Sequence, residues 1–168
     1  MVTGVNGGIT GSGRAEVHCL YGGAFSAGVD VVTPWAYLRT RTGPLFLADV
    51  TGDGRADLCM VTGVNGGTTG SGQAELHCLY GADFSAGLDI ATPWGYLATK
   101  TNPLFTADVN GDGRSDLCQV TGVNGGTTGS GRAEVHCLDA ASGFLSRLDI
   151  ATPWAYLDTT TDAILDRL

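Results

Sequence analysis

The chain has 168 residues, enough for one domain with a hydrophobic core, and 43% of them are apolar while 15% are charged. Its 27 glycines favour a turn-rich, all-β fold over a helical one. The net charge of −8 argues against nucleic acid as a partner, and the lack of any apolar run of roughly 18–20 residues argues against membrane insertion.

The sequence is built from one repeat. The segment VTGVNGGITGSGRAEVHCLYG, which begins at position 2, returns almost unchanged at positions 61 and 120, an interval of 59 residues. The repeat units are 2–60, 61–119 and 120–168, and the last one is shortened and carries one inserted residue. A period near 60 fits a propeller blade of about four strands. We therefore expect residues 1–168 to form a single domain of β-propeller blades with antiparallel strands.

Each unit opens with a glycine-rich connection followed by a strand. In the third unit, GVNGGTTGSG joins two alternating runs, SDLCQVTG at 115–122 and AEVHCL at 133–138, which predicts a hairpin. The second run places an E-x-H pair on one strand face. Such a pair can form a structural hydrogen bond or bind a metal or ligand, and its threefold repetition favours structure. The pairs are Glu16 with His18, Glu75 with His77, and Glu134 with His136.

A further predicted strand ends at the motif T-P-W-[AG]-Y-L. In the second unit the strand is FSAGLDIATPW, which Pro93 ends before Trp94. An aromatic surface here suits stacking against a sugar ring, but large aromatic side chains also fill the core between blades. Both interpretations stay open, with packing favoured. The residues concerned are Trp35, Tyr37, Trp94, Tyr96, Trp154 and Tyr156.

Two acidic loops follow short apolar runs. DVTGDGRADLC at 49–59 and DVNGDGRSDLC at 108–118 each place three aspartates at positions 1, 5 and 9, where like charges repel unless a cation gathers them. Oxygen ligands on a glycine-containing loop suit Ca²⁺, whereas the alternative is a metal-free loop of Asx turns. The expected ligands are Asp49, Thr51, Asp53, the Arg55 carbonyl and Asp57, and then Asp108, Asn110, Asp112, the Arg114 carbonyl and Asp116.

The acidic loops also indicate a family. LFLADVTGDGRADLC at 45–59 and LFTADVNGDGRSDLC at 104–118 resemble the D-x-[NT]-G-D-G-x-x-D signature of FG-GAP/VCBS repeats, the calcium-binding blades of integrin-α-type β-propellers. This resemblance implies that each loop joins two strands of a blade and that its ion is structural. Fungal propeller lectins with similar blades bind sugars between neighbouring blades, although no lectin-specific motif is present here.

The five cysteines recur at fixed places in the repeat, which suggests disulfides and an extracellular, secreted protein. Cys59 and Cys78 flank one predicted hairpin, as do Cys118 and Cys137, so antiparallel pairing can bring each pair together. Cys19 has no counterpart partner and is either free or bonded outside this pattern. A zinc site is disfavoured because no C-x₂-C spacing occurs.

Three blades do not close a ring, because propellers typically have 4–8 blades. An open ring leaves sheet edges and apolar faces exposed. We expect either a longer parent chain or a homo-oligomer around one axis, in which two chains give six blades.

The motifs favour binding over catalysis. No nucleophile–base pair, G-x-S-x-G or H-E-x-x-H motif is present, and similar repeats readily give multivalent surfaces. The expected function is therefore a calcium-stabilised, non-enzymatic module that binds a glycan or another cell-surface ligand. The alternative is a non-catalytic accessory propeller domain of a secreted hydrolase.

Overall fold

A computed structural model describes residues 2–3, 10–21, 26–36, 45–62, 69–81, 83–95, 104–121 and 128–155. These residues form three sheets and one short 3₁₀ turn at Ala140–Ser142, with no α-helix among them. No helix in the described part of the chain is long and apolar enough to cross a membrane. The prediction of an all-β chain is therefore confirmed.

The strands of each sheet follow one another in chain order, and all neighbours are antiparallel. The first sheet contains β1 (Val2–Thr3), β2 (Glu16–Tyr21) and β3 (Ala27–Val32). The second contains β4 (Leu45–Ala48), β5 (Asp57–Thr62), β6 (Glu75–Leu79) and β7 (Gly87–Ala91). The third contains β8 (Leu104–Ala107), β9 (Asp116–Thr121), β10 (Glu134–Leu138) and β11 (Arg147–Ala151).

The second and third sheets have the four strands expected of a blade. The three sheets in the described ranges do not make a closed ring, so the propeller architecture remains a prediction. This meander is possible because antiparallel neighbours can be joined directly by a hairpin connection, even where it is as long as that at 63–74.

Two disulfides link neighbouring strands at paired positions. Cys59 on β5 lies opposite Cys78 on β6, and Cys118 on β9 lies opposite Cys137 on β10. Both predicted pairings are confirmed. Cys19 on β2 is a free, partly buried thiol.

Every sheet has two different faces, because side chains alternate along a strand. We call the face that carries the cysteine positions the leading face; on β6 it holds Leu76 and Cys78. We call the opposite face, which carries the E-x-H pair and a leucine, the trailing face; on β6 it holds Glu75, His77 and Leu79.

Most of the hydrophobic core lies between successive sheets, and a smaller cluster around Val120 and Ala133 lies on the third sheet alone. One cluster combines Ala15, Val17 and Trp35 with Leu58, Met60 and Leu79. The next combines, among others, Ala74, Leu76 and Trp94 with Leu117, Leu138 and Phe144. In both junctions, therefore, the leading face of one sheet packs against the trailing face of the next.

Candidate calcium loops and an inter-sheet cleft

The loop at 49–57 is wrapped around the carboxylate of its first aspartate. Asp49 accepts hydrogen bonds from the backbone N–H groups of Gly52 at 2.7 Å, Asp53 at 3.2 Å and Gly54 at 2.8 Å. Gly52 and Gly54 have φ of 76° and 81°, a region that side chains other than hydrogen rarely allow. Desolvation opposes ionisation of Asp49, but these N–H groups outweigh it and hold the pKa of Asp49 below its ordinary value.

The loop at 108–116 has the same conformation. Asp108 accepts hydrogen bonds from Gly111 at 2.7 Å, Asp112 at 3.1 Å and Gly113 at 2.9 Å. The Gly113 N–H contributes most to holding the pKa of Asp108 below its ordinary value. The two acidic segments are therefore structural copies as well as sequence copies.

The last aspartate of each loop is buried and fastens the loop to the rest of its sheet. One oxygen of Asp57 accepts from Val50 at 3.0 Å and Thr51 at 3.2 Å, and the other accepts from Gly81 at 2.7 Å, just beyond β6. In the third sheet, Asp116 accepts from the N–H groups of Val109 at 3.1 Å and Ala140 at 2.8 Å. These carboxylates thus accept hydrogen bonds from backbone N–H groups, as the backbone carbonyl of a neighbouring strand would do within a sheet.

The middle aspartates are exposed. One oxygen of Asp53 accepts from the Arg55 N–H at 2.9 Å, and one oxygen of Asp112 accepts from the Arg114 N–H at 2.8 Å. In the second loop, Asn110 donates to Asp112 at 3.2 Å and to Asp139 at 3.0 Å, so Asp139 adds a fourth acidic group near this loop.

The donor chemistry of both loops suits a hard cation, because carboxylate, amide, hydroxyl and carbonyl oxygens are the ligands that Ca²⁺ prefers. The aspartate oxygens also satisfy backbone N–H groups, as the Asx-turn alternative expects. Within the described ranges, no group of three or more His, Cys, Asp or Glu side chains is gathered as a metal site.

The E-x-H pairs belong to a three-residue polar chain that crosses two strands. His77 Nδ1 lies 2.8 Å from Asp89 on β7, and its Nε2 lies 3.5 Å from Glu75. Glu75 in turn accepts from the Thr69 N–H at 2.9 Å and from the hydroxyl groups of Thr69 and Ser71. The glutamate thereby orders the end of the glycine-rich connection.

The same polar chain is present in all three sheets. His18 lies 2.7 Å from Asp30, and His136 lies 2.8 Å from Asp149. These aspartates were not among the predicted site residues, although they recur in the segments VDV, LDI and LDI of the repeat. The contacts favour the structural interpretation of the E-x-H pairs.

The tryptophans differ in exposure. Trp35 and Trp94 are buried at the two junctions, which favours the packing interpretation for them, whereas Trp154 is partly exposed. The predicted ligand-contacting tyrosines, Tyr37, Tyr96 and Tyr156, lie outside the described residues.

A cleft of about 370 Å³ opens where the second and third sheets meet. Its lining includes Tyr80, Leu88, Arg114 and Phe144, of which Phe144 is buried in the core. The cleft lies between the two acidic loops, since Thr51 also lines it and the Ser115 N–H donates to the Asp49 carbonyl at 2.7 Å. Apolar walls with a few polar groups are typical of small-molecule sites.

Comparisons with protein-family models, with curated proteins and with solved structures find no match to this chain. The resemblance to FG-GAP/VCBS repeats therefore remains a prediction, which depends on the two acidic loops and on the repeat.

Proposed function

We propose that this chain is an extracellular, calcium-stabilised binding module of FG-GAP/VCBS type, and that it binds a carbohydrate of the cell surface in the cleft between adjacent sheets. The observation that carries this proposal is the position of the cleft, between two acidic loops that share the same aspartate spacing and backbone turn. The module has no catalytic role. Two disulfides are compatible with an oxidising compartment.

The lining of the cleft supports a sugar ligand. Tyr80 and Leu88 offer apolar surface for the C–H face of a pyranose, and the Tyr80 hydroxyl and the Arg114 guanidinium offer hydrogen bonds to its hydroxyl groups. Arg114 also joins the cleft to the second loop, because its backbone N–H bonds to Asp112. Ordering of this loop by an ion therefore positions a cleft side chain.

Calcium binding is tested by thermal unfolding with added CaCl₂ or with chelator. A site with a dissociation constant of about 10⁻⁴–10⁻³ M gains roughly 1–3 kcal/mol of stability in about 10 mM calcium. We expect Asp53→Asn and Asp112→Asn together to remove this gain. Asp83→Asn is the matched control, because Asp83 is an exposed aspartate outside both loops that bonds to Ser85. Equal melting temperatures in calcium and chelator contradict a calcium site.

Ligand binding is tested on a glycan array in calcium. We expect Arg114→Ala to weaken binding to any bound glycan at least tenfold, because a hydrogen bond to a charged group contributes roughly 1.5–3 kcal/mol. Arg132→Ala is the control of equal charge, since Arg132 is exposed, donates to the Pro153 carbonyl and does not line the cleft. No binding across broad glycan panels contradicts the carbohydrate proposal and leaves the calcium result unaffected.

A further inference from the structure

Trp154 is held like the two buried tryptophans but is not covered. Its carbonyl accepts from the Ala133 N–H at 2.9 Å, as the Trp94 carbonyl accepts from Ala74 and the Trp35 carbonyl from Ala15. Trp154 is nevertheless 42% exposed, whereas Trp35 is 1% and Trp94 is 0% exposed. Its backbone setting is thus already the one that accompanies burial in the two internal junctions.

The surface around Trp154 is the β11 side of the leading face of the third sheet, and it is apolar. Further inside the same face, Val120 and Ala133 are already buried. Leu148 and Ile150 on β11 are 48% and 47% exposed. Their counterparts on β7, Leu88 and Ile90, pack against the core at the junction with the third sheet. At both junctions between the described sheets, the leading face is covered by the trailing face of the following sheet.

The first sheet offers an uncovered trailing face. Leu20 is 68% exposed, whereas Leu79 and Leu138, which lie 59 and 118 residues later, are 1% and 0% exposed. The polar chain on this face does not prevent packing, because His77 and His136 are fully buried on trailing faces that are covered in the same manner.

We infer that the leading face of the third sheet binds the trailing face of the first sheet of a second copy of this chain. The contact repeats, between chains, a junction that the chain already makes twice within itself. The apolar groups that become buried are Trp154, Leu148 and Ile150 from one copy and Leu20 from the other.

Two copies satisfy both exposed faces at once. The described residues of each chain form three sheets, so two copies contribute six, which lies within the usual propeller range of 4–8 blades. This closure rests on the proposed propeller architecture. It does not depend on the proposed ligand or on calcium, so the failure of those proposals and the failure of this one give different results.

The test is the mass of the full chain in solution over a dilution series, measured by sedimentation equilibrium. The chain has a mass of 17.2 kDa, and we expect twice that mass. Leu148→Glu and Leu20→Glu each place a charge in both junctions of the dimer, so each variant alone is expected to be a monomer. Both residues are well exposed in the single chain, so the fold should survive, and the circular dichroism spectrum checks this.

Mixing the two variants is the decisive step. Leu20→Glu keeps an intact third sheet and Leu148→Glu keeps an intact first sheet, so one junction forms and the dimer mass returns in the mixture alone. Leu145→Glu is the control and should stay dimeric, because Leu145 is exposed and its counterpart in the second sheet, Ser85, is exposed as well.

Three outcomes overturn the inference. A monomeric wild-type chain shows that the two faces do not bind each other. Loss of the dimer with Leu148→Glu but not with Leu20→Glu shows that like faces pair. Failure of the mixture to recover the dimer mass, with both variants folded, excludes the head-to-tail junction.

Discussion

At the scale of single residues, the aspartates of one loop have different tasks. Asp49 organises the turn, Asp53 is exposed, and Asp57 is buried against three backbone N–H groups. The N–H groups of Val50 and Thr51 that bond to Asp57 are close to it in the chain, whereas the N–H of Gly81 lies 24 residues away. The carboxylate of Asp57 is therefore part of the sheet's hydrogen bonding and does not only serve an ion.

This difference predicts two mutational effects in chelator. Asp57→Ala leaves the N–H groups of Val50, Thr51 and Gly81 without their acceptor, and we expect a loss of about 3 kcal/mol in the free energy of unfolding, since each buried unsatisfied group costs about 1–3 kcal/mol and solvent relieves part of this. Asp53→Ala removes one exposed contact and should change little. Urea unfolding of both variants measures this, and equal effects would show that Asp57 serves no structural purpose without an ion.

The sequence reveals the position of each aspartate in its loop but not the direction of its side chain. The 1, 5, 9 spacing predicts a shared acidic cluster, because spacing alone treats the three carboxylates as equivalent. The bond between Asp57 and Gly81 depends on the packing of β5 beside β6, which no local pattern contains. For the same reason Asp89 was missed as the partner of His77: the two residues lie opposite each other on neighbouring strands, but twelve positions apart in the chain.

At the scale of the elements, the sequence repeat predicts how often the strands recur but not at which residue of the repeat each sheet begins. The units that begin at positions 61 and 120 cut through β5 (57–62) and β9 (116–121), so each four-stranded sheet draws on two units. A periodic sequence has no marked starting point, and the strand pairing alone selects one. The cysteine pairs were predictable because both members belong to one hairpin, whose register places them opposite each other.

The hairpins give a prediction for the thiols. The unfolded, unreduced chain should titrate one thiol, Cys19, and the reduced chain should titrate all five. Reduction should also lower the free energy of unfolding by about 3 kcal/mol per disulfide, because each one closes a loop of about 20 residues. Cys19→Ser is the control, since it should lose the titratable thiol and keep the full effect of the reductant. Three or more thiols before reduction would contradict the pairing.

At the scale of the whole molecule, burial of apolar surface favours the association of two copies, whereas their net charge opposes it. The exposed faces of the first and third sheets carry the uncovered apolar side chains Leu20, Leu148, Ile150 and Trp154, whereas each chain carries a net charge of −8. Two copies that approach each other therefore gain from burial and lose from repulsion between like charges. The composition shows the charge, but only the sheet order shows which apolar residues stay uncovered.

This opposition predicts how salt affects the dimer. Raising the ionic strength from about 10 mM to 150 mM shortens the screening length from about 30 Å to about 8 Å, so the repulsion weakens while the apolar contact does not. We expect the dimer dissociation constant to fall several-fold, as measured by sedimentation equilibrium at each salt concentration. A dissociation constant that rises with salt would instead indicate that pairs of opposite charges hold the contact.

The use of one pair of faces at both junctions also bears on how a longer protein of this kind can evolve. Since both junctions between the described sheets use the same pair of faces, a duplicated copy of the gene joined in tandem would need no newly evolved surface. The contact between separate molecules would become one within a single polypeptide, and its strength would no longer depend on protein concentration.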